Sequence, residues 1–501
     1  MLNFHHNFLI SHSTCFKKGE IIVKLEEVLS GIDYELLKGK DDIEVRELAY
    51  NSRTVKKNDV FFCISGFKTD GHKYAENAVE NGAEVIVCEK DIKLKQDVTV
   101  IKVKDTRKTM ALAAANFYDN PCSKMKFIGI TGTNGKTTST YMIKSILEQA
   151  GFKVGLIGTI CNYIGTKKLH TDRTTPESLE LQKLFYEMVN EGIEYCVMEV
   201  SSHSLALDRV YGIKFKYGIF TNLTQDHLDF HKTFENYYEA KLKLFKNSDI
   251  SIINLDDIYG ERICKDATNI KVTYSIEKEA DICAGDIEVG PRSIKYDLKF
   301  ENKKQQVEIY IPGRYNVYNS LCAAAVCLKE GIELETVKEG LEKTQVPGRC
   351  ELVTKDYDLG YDVIIDYAHT PDGLEKILKS LREIKRGRLI SVFGCGGNRD
   401  KAKRPIMGKI GCDLSDFAII TSDNPRDEEP MDIINDIVSG VDKNNYTIVE
   451  NRKEAIKEAI SIAKKDDIIL IAGKGHEDYQ IFKDNKVIHF DEKEIVYSLI
   501  Q

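Results

Sequence analysis

Phe127 to Thr138, FIGITGTNGKTT, carries the residues whose types and spacing state their chemistry most directly. An apolar run breaks into Gly132, Thr133, Asn134, Gly135, Lys136, Thr137 and Thr138, and the helix-like TSTYMIKSILEQA follows. Strand, glycine turn and helix make a phosphate cradle. Backbone N–H groups close around phosphate oxygens, the helix N-terminus adds a favourable dipole, Lys136 supplies a point charge, and the Thr137 hydroxyl can ligate Mg²⁺. Ile130 stands where the general P-loop pattern has its first glycine, so this is the shorter GTNGKT form.

Further polar clusters end apolar runs downstream. VGLIGT precedes Arg173-Thr174-Thr175-Pro176, YCVMEV contains Glu199 and precedes Ser201-Ser202-His203, and YGIFTN precedes Asp226-His227. In a parallel sheet all of these lie at the carboxyl edge, so residues distant in sequence converge on one crevice. Glu199 and His227 could then help position a cation beside the P-loop. FENYYEAKLKLFKN, from Phe234 to Asn247, reads as an amphipathic helix carrying Lys241, Lys243 and Lys246, and nothing local ranks the three. Asn316 and Asn319 open the next helix, where they could cap it or face a ligand.

Gln345-Val346-Pro347-Gly348-Arg349 has the composition of a linker. Beyond it DVIIDYAHT, LISVFGCGGNRD, FAIITSDNPRDE and IILIAGKGHED are four apolar strands, each ending in polar residues. They bring Asp366 and His369; Arg399; Asp423, Asn424 and Arg426; and Gly473, Lys474, His476 and Glu477 to a second sheet edge. Turn chemistry accounts for Asn424-Pro425 but not for the arginine after it.

The elements needed to hold these clusters exceed one core. With 501 residues, 42% hydrophobic and 30% charged, the chain is expected to form three α/β domains. These are a small N-terminal domain over 23–105, a central P-loop domain with a parallel sheet and a β-rich piece over 106–344, and a Rossmann-like domain over 345–501. In the first, Asn51-Ser52-Arg53 and the segment Gly66 to His72 occupy loops that leave strands. A formal charge of −8 spread along the chain argues against a nucleic-acid partner. The 13 cysteines are scattered without CxxC spacing, as expected of reduced core thiols in a cytoplasmic protein. No apolar run approaches the roughly 18 residues of a membrane span. Residues 1–20 lack the order of a signal peptide and read as an extension.

GTNGKTT, RTTP at 173–176, EVSSH at 199–203, TNLTQDHLDFH from Thr221, YYEAKLKLF, PGR, DYAHTPD, GCGGNRDKAKRP, DNPR and GKGHEDYQ together resemble the ATP-dependent Mur ligases of bacterial cell-wall synthesis. The resemblance runs from about residue 23 to the end and is strongest with the branch that adds the third residue of the peptidoglycan stem peptide. It implies a three-domain enzyme joining the D-glutamate carboxylate of UDP-N-acetylmuramoyl-L-alanyl-D-glutamate to the amine of a diamino acid, with ATP hydrolysed to ADP and phosphate. A carboxylate repels an amine and offers no leaving group, and phosphorylation to an acyl phosphate removes both obstacles.

By that resemblance Gly132, Thr133, Asn134, Gly135, Lys136, Thr137 and Thr138 form the ATP loop, with Asn319, Arg349 and Asp366 near the nucleotide. Lys136, Glu199, His227 and Lys241 are the catalytic set. Thr137, Glu199 and His227 lie near Mg²⁺, and Lys241 matches a lysine carbamylated to N6-carboxylysine, which would add an anion to the metal site. Ser52, Thr174, Thr175, Ser201 and Arg209 match contacts to the UDP-sugar dipeptide, although Asn51 replaces the Asp usual before that Ser-Arg pair. Arg399, Asp423, Asn424, Pro425, Arg426, Gly473 and Glu477 match the amino-acid site. The DNPR form matches the meso-diaminopimelate-adding branch, since Arg426 can pair with the distal carboxylate that L-lysine, the alternative substrate, lacks. The expected protein is a monomer without membrane insertion.

Overall fold

The computed structural model describes residues 22–501 apart from Phe67, Lys68, Gln225 and Pro291, with the side chains of Asp229 and Asn485 also outside it. The N-terminal extension and part of the Gly66–His72 loop therefore lie outside the described residues. Buried apolar strands organise three sheets, each covered on both faces by helices, as parallel strands require.

The N-terminal sheet runs Glu35–Lys38, Thr99–Lys102, Ala83–Cys88, Asp59–Phe62, Glu47–Ala49, parallel except for its first pair. The helix Thr106–Phe117 begins at Asp105, whose carboxylate accepts the N–H groups of Arg107 and Lys108. It buries Met110, Ala113, Ala114 and Phe117 in the same cluster as Val60, Val85 and Ile101. The pattern-based division at 105/106 thus falls just before a helix that completes the N-terminal core.

The central sheet has 11 strands. Lys126–Thr131, which feeds the glycine loop, lies between Tyr195–Glu199 and Phe215–Phe220, parallel to both, with Glu199 opposite Ile130 and Phe220 opposite Thr131. That register sets the ends of the three strands side by side. The β-rich piece over 270–311 continues the same sheet, ending in the antiparallel strands Ile282–Val289, Ile294–Phe300 and Lys303–Ile309. Helices Lys136–Gln149, Tyr315–Lys329 and Leu334–Lys343 pack together on one face. Ser178–Asn190 and Phe234–Lys246 cover the other.

The C-terminal sheet has 6 strands, in the order Glu351–Leu352, Asp362–Asp366, Ile468–Ala472, Leu389–Phe393, Phe417–Ile420, Tyr446–Ile448, with only the first pair antiparallel. The linker before it is buried at Val346 and Gly348. Gly348 has φ +63°, and a Cβ there would collide with Gly475 and the His476 N–H, so the linker is clamped against the loop after Ile468–Ala472. A second tie joins the units where the Arg292 guanidinium meets Asp362 at 2.8 and 3.0 Å.

Candidate active site

A cavity of about 620 Å³ opens between the central and C-terminal sheets. One wall is the glycine loop. Gly132 has φ +156° and a Cβ there would strike the Thr221 hydroxyl, while one on Gly135, at φ +87°, would strike Asn319 Oδ1. Only glycine allows that approach. The loop is then pinned from the next strand: the Thr133 N–H donates to the Asn222 carbonyl at 2.9 Å and the Asn134 N–H to Asn222 Oδ1 at 2.9 Å. The Thr221 hydroxyl donates to the Asn134 carbonyl at 2.6 Å. Lys136 folds back on this frame, its ammonium donating to the Gly132 and Thr133 carbonyls, both at 2.9 Å.

The two lysines of this wall hydrogen-bond neutral groups and no carboxylate among the described residues. Among the described residues Lys241, 1% exposed, reaches only Thr131 Oγ1 at 3.4 Å and the face of Tyr237, with 4.6 Å to the ring centroid. Burial, and after it the Lys136 charge, hold Lys241 well below the usual lysine value, against a smaller pull from Asp226. Burial also lowers Lys136, opposed by Glu199 and reinforced by Arg349. Lys243 and Lys246 on the same helix are half-exposed, so position on the helix separates the three lysines. Glu199, buried, accepts from the Thr159 N–H at 2.8 Å and the Thr159 hydroxyl at 3.0 Å, which fixes its carboxylate at the loop. His227 enters from a left-handed backbone position, φ +52°, its ring 4.8 Å from that of His203 and its Nε2 3.4 Å from Asp226.

The opposite wall comes from the linker and the C-terminal unit. Arg349 lies 4.8 Å from the Tyr367 ring centroid, and its buried Nε has no hydrogen-bond partner among the described residues. Asp366 accepts the N–H groups of Cys350 at 2.7 Å and Ala368 at 2.8 Å. Burial raises its pKa, and Arg349 with those two N–H groups moderates the rise. Asn319 donates to Asn316 Oδ1 at 2.8 Å rather than capping its helix. Thr159, Asn222, Tyr237, Asp256 and Tyr315 line the cavity too. The sequence reading does not single them out, although Thr159 and Asn222 carry a signal as the polar residues ending VGLIGT and YGIFTN.

Of the residues singled out from sequence, the cavity gathers the glycine loop, Thr174, Glu199, Ser201, His227, Lys241, Asn319, Arg349 and Asp366. Thr175 adjoins it, donating to the Glu199 carbonyl at 2.8 Å and accepting the Ser201 N–H at 3.1 Å. Arg209 donates to the Thr175 carbonyl at 3.0 Å and pairs with Glu177 at 3.0 Å. Glu177 also meets Arg173 at 2.8 Å and Arg107 at 3.3 Å, a junction between the first two units that no local pattern reveals. Ser52 is not in the cavity. It lies buried in a loop whose neighbour Tyr50 bonds Glu180 beside that junction.

The third unit's polar residues form a separate cluster. Lys474, Asp423, Asn424 and Glu477 are mutually bonded, and Gln480 donates to the Asp423 carbonyl. Burial pushes the Asp423 carboxyl up, but Lys474 and Arg452 outweigh it and hold the group below the ordinary carboxylate value. Arg426, at φ +52°, donates to the Gly397 carbonyl at 3.0 Å and the Asn424 carbonyl at 3.4 Å. Pro425 packs its carbonyl so close to Gly397 that a Cβ there would collide. Arg399 is exposed and bonds only its neighbour's carbonyl, at 3.1 Å. Gly473, φ +126°, brings the backbone beside Asp423. Among the described residues, no three His, Cys, Asp or Glu side chains group as a metal site, and no helix is long and apolar enough to cross a membrane. Every described cysteine is free.

A glycine phosphate loop facing a second α/β unit across a cavity is the architecture of a nucleotide-dependent ligase. Family models place it further: Mur ligase family, catalytic domain matches residues 44–118, Mur ligase middle domain 130–327, and Mur ligase, glutamate ligase domain 348–475. The chain belongs to the Mur ligase family. It is 60% identical over 483 residues to UDP-N-acetylmuramoyl-L-alanyl-D-glutamate--2,6-diaminopimelate ligase of Clostridium tetani, covering 96% of this chain and 99% of the relative. It is 62% identical over 480 residues to the ligase 1 of that name in Clostridium acetobutylicum, with 96% and 99% covered. A solved structure of a ligase of the same name matches with TM-score 0.70 at 29% identity, over 95% of this chain and 98% of that one. MurF from Thermotoga maritima, solved with ADP, shares the fold at TM-score 0.60 and 17% identity, over 90% and 96%.

Proposed function

We propose that the chain adds meso-2,6-diaminopimelate to the D-glutamate carboxylate of UDP-N-acetylmuramoyl-L-alanyl-D-glutamate, at the expense of ATP, in peptidoglycan biosynthesis. The observation that carries this reading is the single cavity in which the glycine loop, Glu199, Lys241, Thr174 and Ser201 of one unit face Arg349 and Asp366 of the next. The relatives named for that reaction cover almost the whole chain and support the choice of substrates.

Under this reading the loop N–H groups and Lys136 hold the ATP phosphates, and Asn319, Arg349 and Asp366 hold the rest of the nucleotide. Thr174, Thr175, Ser201 and Arg209 orient the UDP-sugar dipeptide so that its carboxylate meets the γ-phosphoryl group, and Ser52 lies toward the uridine end. The three units divide near residues 118 and 344, with the helix Thr106–Phe117 in the first. The buried cations lower the barrier by neutralising charge that grows on the transferring phosphoryl oxygens. The amine of the amino acid, held by the third unit, then attacks the acyl phosphate and expels phosphate.

The residues fit Mg²⁺ bound chiefly through phosphate oxygens. Thr137, Glu199 and His227 share the cavity, and one buried carboxylate beside a hydroxyl suits an ion that keeps much of its shell for phosphate and water. When bound, Mg²⁺ would neutralise the phosphate charge. Lys241, buried without a carboxylate partner among the described residues and deprotonated more readily than a solvated lysine, has the chemistry of a lysine that reacts with CO₂ to give N6-carboxylysine. The protein works as a monomer in the cytoplasm.

Phosphate release by the purified protein with ATP, Mg²⁺ and the UDP-sugar dipeptide tests the reading, comparing meso-diaminopimelate, L-lysine and no amino acid. Stimulation by diaminopimelate alone supports it. Stimulation by lysine alone keeps a ligase but replaces the amino acid, and release indifferent to both rejects ligation.

A further inference from the structure

Lys474 lies at the centre of the third unit's polar cluster and is 0% exposed. Its ammonium donates to Asn424 Oδ1 at 3.0 Å and lies 3.4 Å from Glu477 Oε2 and 3.5 Å from Asp423 Oδ1. Asn424 Nδ2 in turn donates to the same Glu477 oxygen at 3.1 Å, and Asn424 Oδ1 also accepts the Ile481 N–H at 3.0 Å. One buried lysine therefore fixes which way the Asn424 amide faces and where both carboxylates point. Asp423 Oδ1, in a residue 6% exposed, has no hydrogen-bond partner among the described residues apart from that ionic approach.

The charges in this cluster can be counted. Asp423 and Glu477 carry two negative charges and Lys474 one positive, leaving one negative charge on that side. Arg426, two residues beyond Asn424, adds one positive charge and among the described residues bonds only carbonyls. Arg452 behind the cluster does not alter the count, because Glu492 pairs with it at 2.7 Å. Leaving out the solvent-exposed Arg399, the cluster offers one net charge of each sign. That is the complement of an amino-acid end carrying one ammonium and one carboxylate.

We propose that Lys474 is a specificity-determining residue, cancelling one of two carboxylate charges so that the cluster selects a zwitterionic side-chain terminus over a purely cationic one. The inference rests on the reading that this unit binds meso-diaminopimelate, whose far end is such a zwitterion, whereas L-lysine ends in an ammonium alone. Without the ammonium of Lys474 the extra negative charge repels the distal carboxylate while attracting either amine. Preference then moves toward lysine.

The test measures kcat/KM for meso-diaminopimelate and L-lysine, and KM for ATP, in wild type, Lys474→Met, Glu477→Gln and the double variant, with thermal unfolding alongside. Lys474→Met should lower the diaminopimelate-to-lysine ratio by about 10-fold or more, with KM for ATP within about 2-fold. The double variant restores the charge count and should bring the ratio back to within about 3-fold of wild type. If Lys474→Met does not fold, the step from Glu477→Gln to the double variant reads the same quantity, because it removes the same ammonium without leaving two uncompensated carboxylates. An unchanged ratio across either step, or equal loss for both amino acids, overturns the proposal. Wild-type enzyme that ignores diaminopimelate overturns the parent reading too, and is distinguished by needing no variant.

Discussion

The nucleotide cavity and the cluster around Lys474 are both rich in charge but are built in opposite ways. In the cavity Lys136 is held by backbone carbonyls alone, and the buried Nε of Arg349 has no hydrogen-bond partner among the described residues. In the cluster Lys474 and Arg452 each meet carboxylates, and the carboxylates meet further donors. A site for a polyanion gains from cations whose compensation arrives with the ligand. A site for a small zwitterion gains from charges already set in place, so that only the matching ligand completes the pattern. The difference also assigns consequences. Removing a charge from the cluster should harm stability, and removing one from the cavity should harm catalysis.

The strongest test of that division is Arg452→Met. Arg452 is buried, bonds Glu492 at 2.7 Å, and donates to the carbonyls of Ala472 at 2.8 Å and Ser422 at 3.4 Å, the residues before Gly473 and Asp423. Stranding Glu492 should cost about 3–5 kcal/mol in unfolding free energy, read from denaturant titration. Lys136→Met should do the reverse, leaving unfolding nearly unchanged because the ammonium contacts only loop carbonyls, while kcat/KM for ATP falls about 10²–10³-fold. Similar losses of stability in both variants would erase the distinction between the two regions.

How far each region could be read from sequence follows the same line. The phosphate loop was legible because its chemistry sits in seven consecutive residues, and the strand ends carrying Glu199 and Asp366 were legible because apolar runs stopped at them. Lys241 was named through family resemblance alone, yet a local signal existed. Tyr237, Lys241 and Phe245 are four apart and all buried, so the helix period already placed that lysine, unlike Lys243 or Lys246, on the inner face. The network around Glu177 was not legible, since Arg107 reaches it from 70 residues away and depends on how two units dock. Nor was the place of Thr106–Phe117 in the N-terminal core, whose small and apolar residues would fit either neighbour. Lys474 was visible in GKGHED, but its compensating role depends on Asp423 and Asn424 about fifty residues earlier.

Arg426→Ala sharpens the comparison at the edge of the cluster. Its guanidinium bonds carbonyls and no carboxylate, so it resembles the cavity cations more than Lys474 does. Its loss should therefore affect the ligand rather than the fold. KM for diaminopimelate should rise about 10–100-fold, with KM for ATP within about 2-fold, as expected when a charge-assisted pair to a carboxylate is removed. Equal effects on both substrates would place Arg426 outside the amino-acid site.

The smallest effect concerns how the arginine loops are braced. Glu428 accepts both Arg404 nitrogens, at 3.0 and 2.9 Å, and the Asn398 N–H, which ties the 397–399 loop to the 424–428 loop. The Arg404 hydrogen bonds lower the Glu428 pKa to about 2 from the usual 4.5, against burial and with help from the Asn398 N–H and Lys401. A carboxyl depressed in the folded state adds stability that is complete above its unfolded value and lost as pH falls through the folded one, so the window here runs from about 4.5 to about 2. Glu428→Gln should make the loss of stability with acid shallower across that window, and lower stability at neutral pH by only about 1 kcal/mol, since Glu428 is partly open to solvent and Asp436 still pairs with the buried Arg404. Unfolding free energies measured from pH 6 down to about 2 in both proteins read the difference. Identical acid slopes would show that the loops are held by the backbone turn at Asn398 and Arg426 and not by the charge between them.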